Sequence, residues 1–166
     1  MIRNHPKILD VFDLARNLRA DDRRELFLGT GQSDASHSIR DAIAASSICE
    51  AVRFNDGALA AIWGVVPLEG LGSIWMLTSD RVESRPSQFL RVCPGLVQYA
   101  HTEFSTLVCA PWRGNALHLR WLRWLGFAPG QVVGHFQIHN HVRTTCCTNT
   151  DAGRIGGKCD GAEECI

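Results

Sequence analysis

Residues 48–66 read ICEAVRFNDGALAAIWGVV, and this stretch decides what kind of fold the chain can adopt. Its two apolar runs, 48–54 and 58–66, flank the turn residues Asn55, Asp56 and Gly57. Because Asn, Asp and Gly tolerate positive φ angles, these three residues predict a tight turn between antiparallel strands. The stretch therefore predicts a β-hairpin near the middle of the chain.

Helical periodicity precedes the hairpin. Apolar residues at i, i+3, i+4 and i+7 share the face of a first helix: Val11, Leu14, Ala15 and Leu18. Asp21 or Asp22 is expected to cap a second helix, which runs through Phe27 and ends at Gly29. Ser36 is expected to cap a third.

The elements after the hairpin alternate between strand and helix. We expect a strand over 73–78, a helical segment over 86–104 that Pro94 kinks or splits, and a short strand over 105–110. A further helix is expected to begin after Asn115, its N-cap, and to end at Gly126. The apolar stripe of that helix is predicted to face the core: Leu117, Trp121, Trp124 and Leu125. A last strand is expected over 132–139.

This order predicts an α/β (α+β) domain over 1–142, with a mixed central sheet flanked by helices. From residue 143 the composition changes to Thr, Gly, Cys and Asp without periodicity, so 143–166 is expected to be an irregular tail. The 17 basic and 17 acidic residues cancel, which argues against dedicated nucleic-acid binding or attraction to an anionic membrane. The polar N-terminus and the lack of a long apolar run predict neither a secretory signal nor a membrane span.

Three segments, in this order and at these separations, carry a resemblance to a known family: Asp56–Val65, Ile74–Asp80 and Asn115–Phe127. Together they resemble the GNAT acetyltransferase fold, and in particular a branch of internal virion or morphogenesis proteins found in T7-like and other podophages. The resemblance covers about residues 1–140. It implies a GNAT-like fold, partners among other phage structural proteins or further copies of the chain, and a location in the virion or the host cytoplasm.

In active GNAT enzymes a glycine-rich loop after the fourth strand holds the diphosphate of acetyl-CoA through main-chain N–H groups. The corresponding residues here begin at Arg81, but Ser84 and Pro86 stand where the family has small residues, and Glu83 adds a negative charge. Pro86 also lacks an N–H. If acetyl-CoA binds, the resemblance assigns contacts to Arg81 and Ser84, yet the loop itself indicates that diphosphate binding has been lost.

The family also separates its fourth and fifth strands so that the pantetheine arm lies between them. Trp75, Leu77 and Thr78 would line one wall and residues 106–110 the other. Trp75 either fills this opening or belongs to the core.

The family pattern next places an asparagine and a proton-donating tyrosine on the following helix. Asn115 matches the asparagine and would contact the cofactor, although it is also explained as a helix cap. The tyrosine position holds Leu122, which cannot donate a proton. His118, one turn earlier, is a weak candidate for the acid, and Glu50 in the hairpin is a weak candidate for the base.

Residues near the C-terminus include zinc-ligand types, namely His139, His141, Cys146, Cys147, Cys159 and Cys165, and the first four are the candidate ligands. Their spacing fits no standard metal pattern. A reduced tail and contacts with other chains in a particle are the alternative interpretations.

The sequence and the resemblance together favour a virion or assembly protein on a GNAT scaffold that has lost catalysis and needs no cofactor. The alternative is an acetyl-CoA-dependent N-acetyltransferase that modifies a host or phage amine.

Overall fold

The predicted hairpin lies inside a seven-stranded mixed sheet in the computed structural model, which describes residues 1–143. The strands in chain order are β1 (Ile2–Asn4), β2 (Ile48–Arg53), β3 (Leu59–Leu68), β4 (Leu71–Thr78), β5 (Thr106–Cys109), β6 (Ala128–Val133) and β7 (Phe136–Val142). Across the sheet their order is β1-β2-β3-β4-β5-β7-β6. Within the described residues β4 and β5 form the parallel pair, and the other neighbours are antiparallel.

In residues 1–143, six helices accompany the sheet: α1 (Ile8–Arg16), α2 (Ala20–Thr30), α3 (Ala35–Ala45), α4 (Arg81–Ser84), α5 (Pro86–Ala100) and α6 (Ala116–Trp124). Side chains of α1 and α3, such as Leu14 and Ile39, pack with Ile62 of β3 in one buried cluster. Those of α5 and α6, such as Leu96, pack with Trp63 in another. Because neighbouring strand residues point to opposite sides, the sheet has one cluster on each face. No helix of residues 1–143 is long and apolar enough to cross a bilayer.

The early helices begin and end at other residues than the sequence indicated. α2 continues past Gly29 and ends at Gly31, whose φ of 71° is the left-handed conformation typical of a helix C-terminus. α3 is capped by Asp34 and not by Ser36, because the Asp34 side chain accepts a hydrogen bond from the Ser36 N–H (2.9 Å).

The structure narrows one prediction about the later elements and corrects another. α5 is not split at Pro94 but runs from Pro86 to Ala100, because its buried face packs against the sheet on both sides of that residue. The alternative, a kink at Pro94, stays a prediction. The expected single last strand is a hairpin of β6 and β7, with Gly134 in its turn at a φ of 57°.

α6 has its predicted ends, and two residues of the expected core stripe, Trp121 and Leu125, are half-buried against the core. Asn115 caps it, and Gly126 follows with a φ of 92°. Leu122 is buried, whereas Leu117 and Trp124 of the expected core stripe are 49% and 57% exposed. The helix is rotated so that Leu122 faces the sheet.

Candidate functional site where β4 and β5 diverge

β4 and β5 pair at only two positions and then separate. Gly72 lies opposite Leu107 and Ser73 opposite Val108, after which β4 continues to Thr78 while β5 ends. A cavity of about 320 Å³ lies at this divergence. The opening between these strands, which the sequence left undecided, is therefore present.

The walls of this cavity are mainly apolar and come from β4, α5, α6 and the turn after α6: Ile74, Met76, Leu96, Val97, Leu122, Leu125 and Phe127. Trp75 forms part of the wall, where its Nε1 donates a hydrogen bond to Oγ of Ser46 (2.9 Å). Trp75 and the buried Leu77 both pack with the cluster beneath α1 and α3. Trp75 is thus a half-buried wall residue that leaves the cavity open.

A carboxylate and an imidazole face each other at this cavity. Nδ1 of His118 on α6 lies 3.6 Å from Oε2 of Glu25 on α2, and both side chains line the cavity. The His118 ring also lies against the Trp121 ring, with centroids 5.4 Å apart. The structure therefore places His118, a weak candidate from the sequence, in the cleft beside an acid.

No sequence pattern indicated Glu25 as a site residue. It lies on a helix with little amphipathic pattern, and no motif joins it to His118. Its Oε2 is buried and accepts no hydrogen bond within the described residues. A buried carboxylate oxygen without a hydrogen bond is costly unless a nearby cation, a water or a ligand meets it. The nearest side-chain nitrogen shown for this oxygen is Nδ1 of His118, beyond hydrogen-bond distance at 3.6 Å.

Two cysteines also line the cavity. Burial raises the pKa of both the Cys93 thiol and the Cys109 thiol to about 12, and the charge of Glu25 adds to the effect at Cys109. Both thiols are therefore neutral near pH 7, and a neutral thiol is a poor nucleophile. The cavity holds thiols without an activated one.

A second cavity, of about 280 Å³, shares Met76, His118 and Trp121 with the first and lies beside the end of β4. Asp22 lines it and occupies the donors at that end. Oδ2 of Asp22 accepts hydrogen bonds from the Thr78 N–H (2.9 Å) and the Thr78 hydroxyl (2.6 Å). Burial raises the pKa of Asp22, and the nearby Arg19 and the Thr78 hydrogen bonds oppose that shift. Thr78 is thus engaged inside the protein.

The turn after β4 directs its main-chain donors inward. Five main-chain N–H groups around it donate hydrogen bonds to main-chain carbonyls. The donors belong to Ser79, Asp80, Val82, Glu83 and Arg85. Pro86 follows with no N–H at all. A diphosphate needs several such donors pointing at it. The turn in this conformation does not fit that group.

The side chains expected to help at this turn are also occupied. The Arg81 guanidinium forms two hydrogen bonds of 2.8 Å with the carboxylate of Asp13 on α1. That contact lowers the pKa of Asp13 and raises the pKa of Arg81. The Ser84 hydroxyl donates to the Arg81 carbonyl (2.9 Å). Both side chains are used within the fold.

Acidic groups dominate the local charge near the turn. Arg19 lies 3.4 Å from Glu83, 3.6 Å from Asp22 and 3.8 Å from Asp21, so its single charge is shared among three carboxylates. A diphosphate bound here would be repelled by these carboxylates, and the Arg19 charge that could offset the repulsion is already engaged by them. Electrostatics and hydrogen bonding thus disfavour the same ligand group at this place.

The remaining sequence candidates lie away from the two cavities. Asn115 is fully buried, and its Oδ1 accepts a hydrogen bond from the His118 N–H (3.1 Å), so it is the predicted helix cap. The candidate base Glu50 lines neither cavity, and its carboxylate accepts a hydrogen bond from Nε1 of Trp63 (3.3 Å) and pairs with Arg3, so its role as a base stays a prediction. The alternation of side chains along β2 and the hydrogen bond from Trp63 direct the Glu50 side chain away from the cavities.

The candidate zinc ligands do not assemble within the described residues. His139 is buried without a partner for either ring nitrogen, and burial together with the charges of His118 and Arg123 lowers its pKa. Nδ1 of His141 instead lies 2.7 Å from Nε2 of His101. No group of three or more ligand-type side chains is close enough to hold a metal in residues 1–143. Cys146 and Cys147 lie outside the described residues.

The cavity between β4 and β5 offers space for an apolar group, and the His118 imidazole, 3.6 Å from the Glu25 carboxylate, is a hydrogen-bonding side chain in its wall. Tight anchoring of a diphosphate is not supported by the residues present.

Comparison with solved structures supports the architecture. The chain is similar to the PaiA N-acetyltransferase from Thermoplasma acidophilum, solved with coenzyme A, at a TM-score of 0.62 and 10% identity over 86% of this chain and 98% of that one. It is similar to the ribosomal-protein-S18-alanine N-acetyltransferase from Escherichia coli at 0.64 and 10% identity, over 89% and 97% of the two chains. A GNAT-family acetyltransferase from Bacillus anthracis gives 0.62 at 9% identity, over 83% and 90%.

Sequence comparisons add no closer relationship, since no family model and no curated protein matches the chain. Identities this low establish the fold and leave the activity open. The chain has the fold of the GNAT acetyltransferases, as its sheet order, its separated fourth and fifth strands and these structural neighbours show.

Proposed function

We propose that this protein is a non-catalytic binding protein on a GNAT scaffold, and that it serves in the virion or the assembly of a tailed phage. The observation that carries the non-catalytic part is the turn after β4, where the N–H groups of Val82, Glu83 and Arg85 donate to the protein's own carbonyls. A GNAT enzyme needs those donors for its cofactor, because a diphosphate is held by main-chain N–H groups at a helix N-terminus.

The contact between Arg81 and Asp13 supports the same proposal. It joins the turn to α1 by two hydrogen bonds, so rotating Arg81 toward a ligand would break both of them. Leu122 is buried at the position of the family's tyrosine and offers no proton to a leaving thiolate. Three requirements of acetyl transfer are therefore weakened together: the cradle, the cation and the acid.

The phage assignment is supported by the resemblance of the segments 56–65, 74–80 and 115–127 to podophage morphogenesis proteins. It implies other phage structural proteins and further copies of the chain as partners, in the virion or the host cytoplasm. Mass spectrometry of purified particles tests this part, and we expect the chain at a fixed copy number. Its absence from particles and from assembly intermediates would refute the assignment.

Isothermal titration calorimetry with acetyl-CoA tests the non-catalytic part. We expect no saturable heat and no rise in melting temperature, because a ligand stabilises a protein only if it binds the folded state. Integrity of the sample is checked by a cooperative melting transition. Micromolar binding would contradict the proposal.

A second candidate function, an N-acetyltransferase acting on a host or phage amine, is favoured by the open cavity and by the pairing of His118 with Glu25. It predicts release of free coenzyme A thiol from acetyl-CoA when amines are supplied. His118→Ala should abolish that release, and Leu122→Tyr should raise it if the site lacks only a proton donor. Arg40→Ala, on the exposed surface of α3, is the control.

A further inference from the structure

The charges of the chain are unevenly distributed along its sequence. Residues 104–143 contain no aspartate and no glutamate, while they contain four arginines: Arg113, Arg120, Arg123 and Arg143. This part includes β5, α6, β6 and β7, so one end of a neutral protein is locally basic. Such a segment attracts acidic partners although the net charge is zero.

α6 presents part of this basic segment together with apolar side chains. Leu117, Arg120 and Trp124 follow the spacing i, i+3 and i+7, so they form one stripe along the helix, with Arg123 beside it. Arg120 and Arg123 are exposed, as are Leu117 (49%) and Trp124 (57%). We call these four residues the α6 outer face.

Nothing within the described residues neutralises or covers this face. Neither Arg120 nor Arg123 forms a salt bridge with a carboxylate of residues 1–143. A surface tryptophan flanked by arginines is the composition that protein interfaces favour, because both residue types are enriched where binding energy concentrates. The opposite face of α6 already packs on the sheet through Leu122, so the outer face is available to another molecule.

We propose that the α6 outer face docks an acidic, amphipathic segment of a partner protein. Apolar side chains of the segment would cover Leu117 and Trp124, while its carboxylates would pair with Arg120 and Arg123, as charged groups do across complementary interfaces. This inference rests on the proposed function, which requires a protein partner, and it names the chemistry of that partner.

A protein segment fits this face better than a nucleic acid does. Nucleic-acid affinity comes mainly from contacts with several phosphates, and this face offers two guanidinium groups around an apolar centre. A helical segment with acidic and apolar faces matches both features at once.

The test uses the full chain and a short fluorescein-labelled helical peptide with glutamates on one face and leucines on the other. Binding is followed by fluorescence anisotropy. We expect saturable binding that weakens with salt and falls by about tenfold or more in the double variant Arg120→Glu/Arg123→Glu, since reversing close charges removes attraction and adds repulsion. Trp124→Ala should weaken it by about fivefold or more through lost apolar contact. Arg40→Glu, another exposed arginine, should leave it unchanged.

Three outcomes would overturn the inference. Undetectable binding of the peptide, or equal binding by the charge-reversed variant, would show that the α6 outer face is not the docking surface. Tighter binding of a labelled oligothymidylate that the same variants abolish would assign the face to phosphate. Binding of the peptide only after Asp160→Asn, Glu163→Gln and Glu164→Gln would assign the face to the chain's own C-terminal residues. Because the peptide test involves no cofactor, its failure leaves the acetyl-CoA titration unaffected, and the reverse also holds.

Discussion

At the turn after β4, the partner of a single side chain distinguishes a cofactor-binding role from a structural one. The resemblance assigns Arg81 a contact with acetyl-CoA if that cofactor binds, and in the structure Arg81 forms a two-point contact with Asp13. Such a bidentate pair is directional and stronger than a single charged contact. The same residue type can therefore serve either purpose, and only its partner shows which one applies.

The contact between Arg81 and Asp13 should contribute to stability in a pH-dependent way. Arg81→Met is expected to lower the free energy of unfolding at pH 7 by about 0.5–1 kcal/mol, a small value because both side chains are about one-third exposed. The pKa of Asp13 is lowered in the folded state, so this contribution is present above the unfolded pKa and is lost as the pH falls through the folded pKa.

Urea denaturation at pH 7 and at about pH 3 measures that difference, and Arg40→Met, at an exposed position, serves as the control, expected within about 0.5 kcal/mol of the parent. A loss for Arg81→Met that is equal at both pH values would mean that the ion pair is not its source.

At the scale of elements, the central hairpin and α5 show how far local pattern predicts structure. The hairpin forms as its turn residues indicate, because the required backbone angles depend on those residues alone. α5 continues through Pro94, because burial of residues on both sides of the proline outweighs the local preference to break. Packing, which the local sequence does not describe, decides such conflicts.

Two glycines in these elements should respond in opposite directions to the same substitution. A Cβ at Gly64 of β3 would lie 2.7 Å from the Ile48 carbonyl oxygen, so Gly64→Ala should cost about 1–3 kcal/mol by forcing the strands apart. A Cβ at Gly95 within α5 meets nothing within 4 Å, so Gly95→Ala should stabilise by about 0.5–1 kcal/mol through helix propensity. Thermal and urea denaturation of the two variants compares them directly. A destabilised Gly95→Ala would mean that α5 needs flexibility beside Pro94.

At the scale of the whole molecule, one sheet carries two buried clusters and holds the cavity at the place where β4 and β5 part. The cavity exists because two strands share only a short paired segment, and that follows from how α5, α6 and the early helices pack. The alternative enzymatic function depends on this opening, so it is the feature that a ligand or a filling mutation would probe first.

The two clusters should unfold together yet respond independently to small changes. Ile39 of α3 belongs to one cluster and Ile48 of β2 to the other. Ile39→Val and Ile48→Val should each lower the free energy of unfolding by about 0.5–1.5 kcal/mol. The double variant should show the sum within about 0.5 kcal/mol, because the sites lie on opposite faces of the sheet. Tryptophan fluorescence and circular dichroism should report one coincident transition in urea. Two separate transitions would show that the clusters are distinct folding units.

The features that depend on nearby residues follow from the amino-acid sequence by itself. They include the hairpin at Asn55–Gly57, the Asn115 cap, the Gly126 stop and the alternation of elements that predicts a mixed sheet. Turn angles, caps and periodicity act over a few residues, so a single chain carries their signal in full.

The site depended on contacts between residues far apart in the chain. Asp13 and Arg81 are 68 positions apart in the chain, and Glu25 and His118 come from α2 and α6, which are far apart in sequence. The rotation of α6, which exposes Trp124 and turns His118 inward, was likewise decided by packing against the sheet. Distant side chains meet only when the entire core has formed, because burial and sheet register, and not local preference, determine which of them become neighbours.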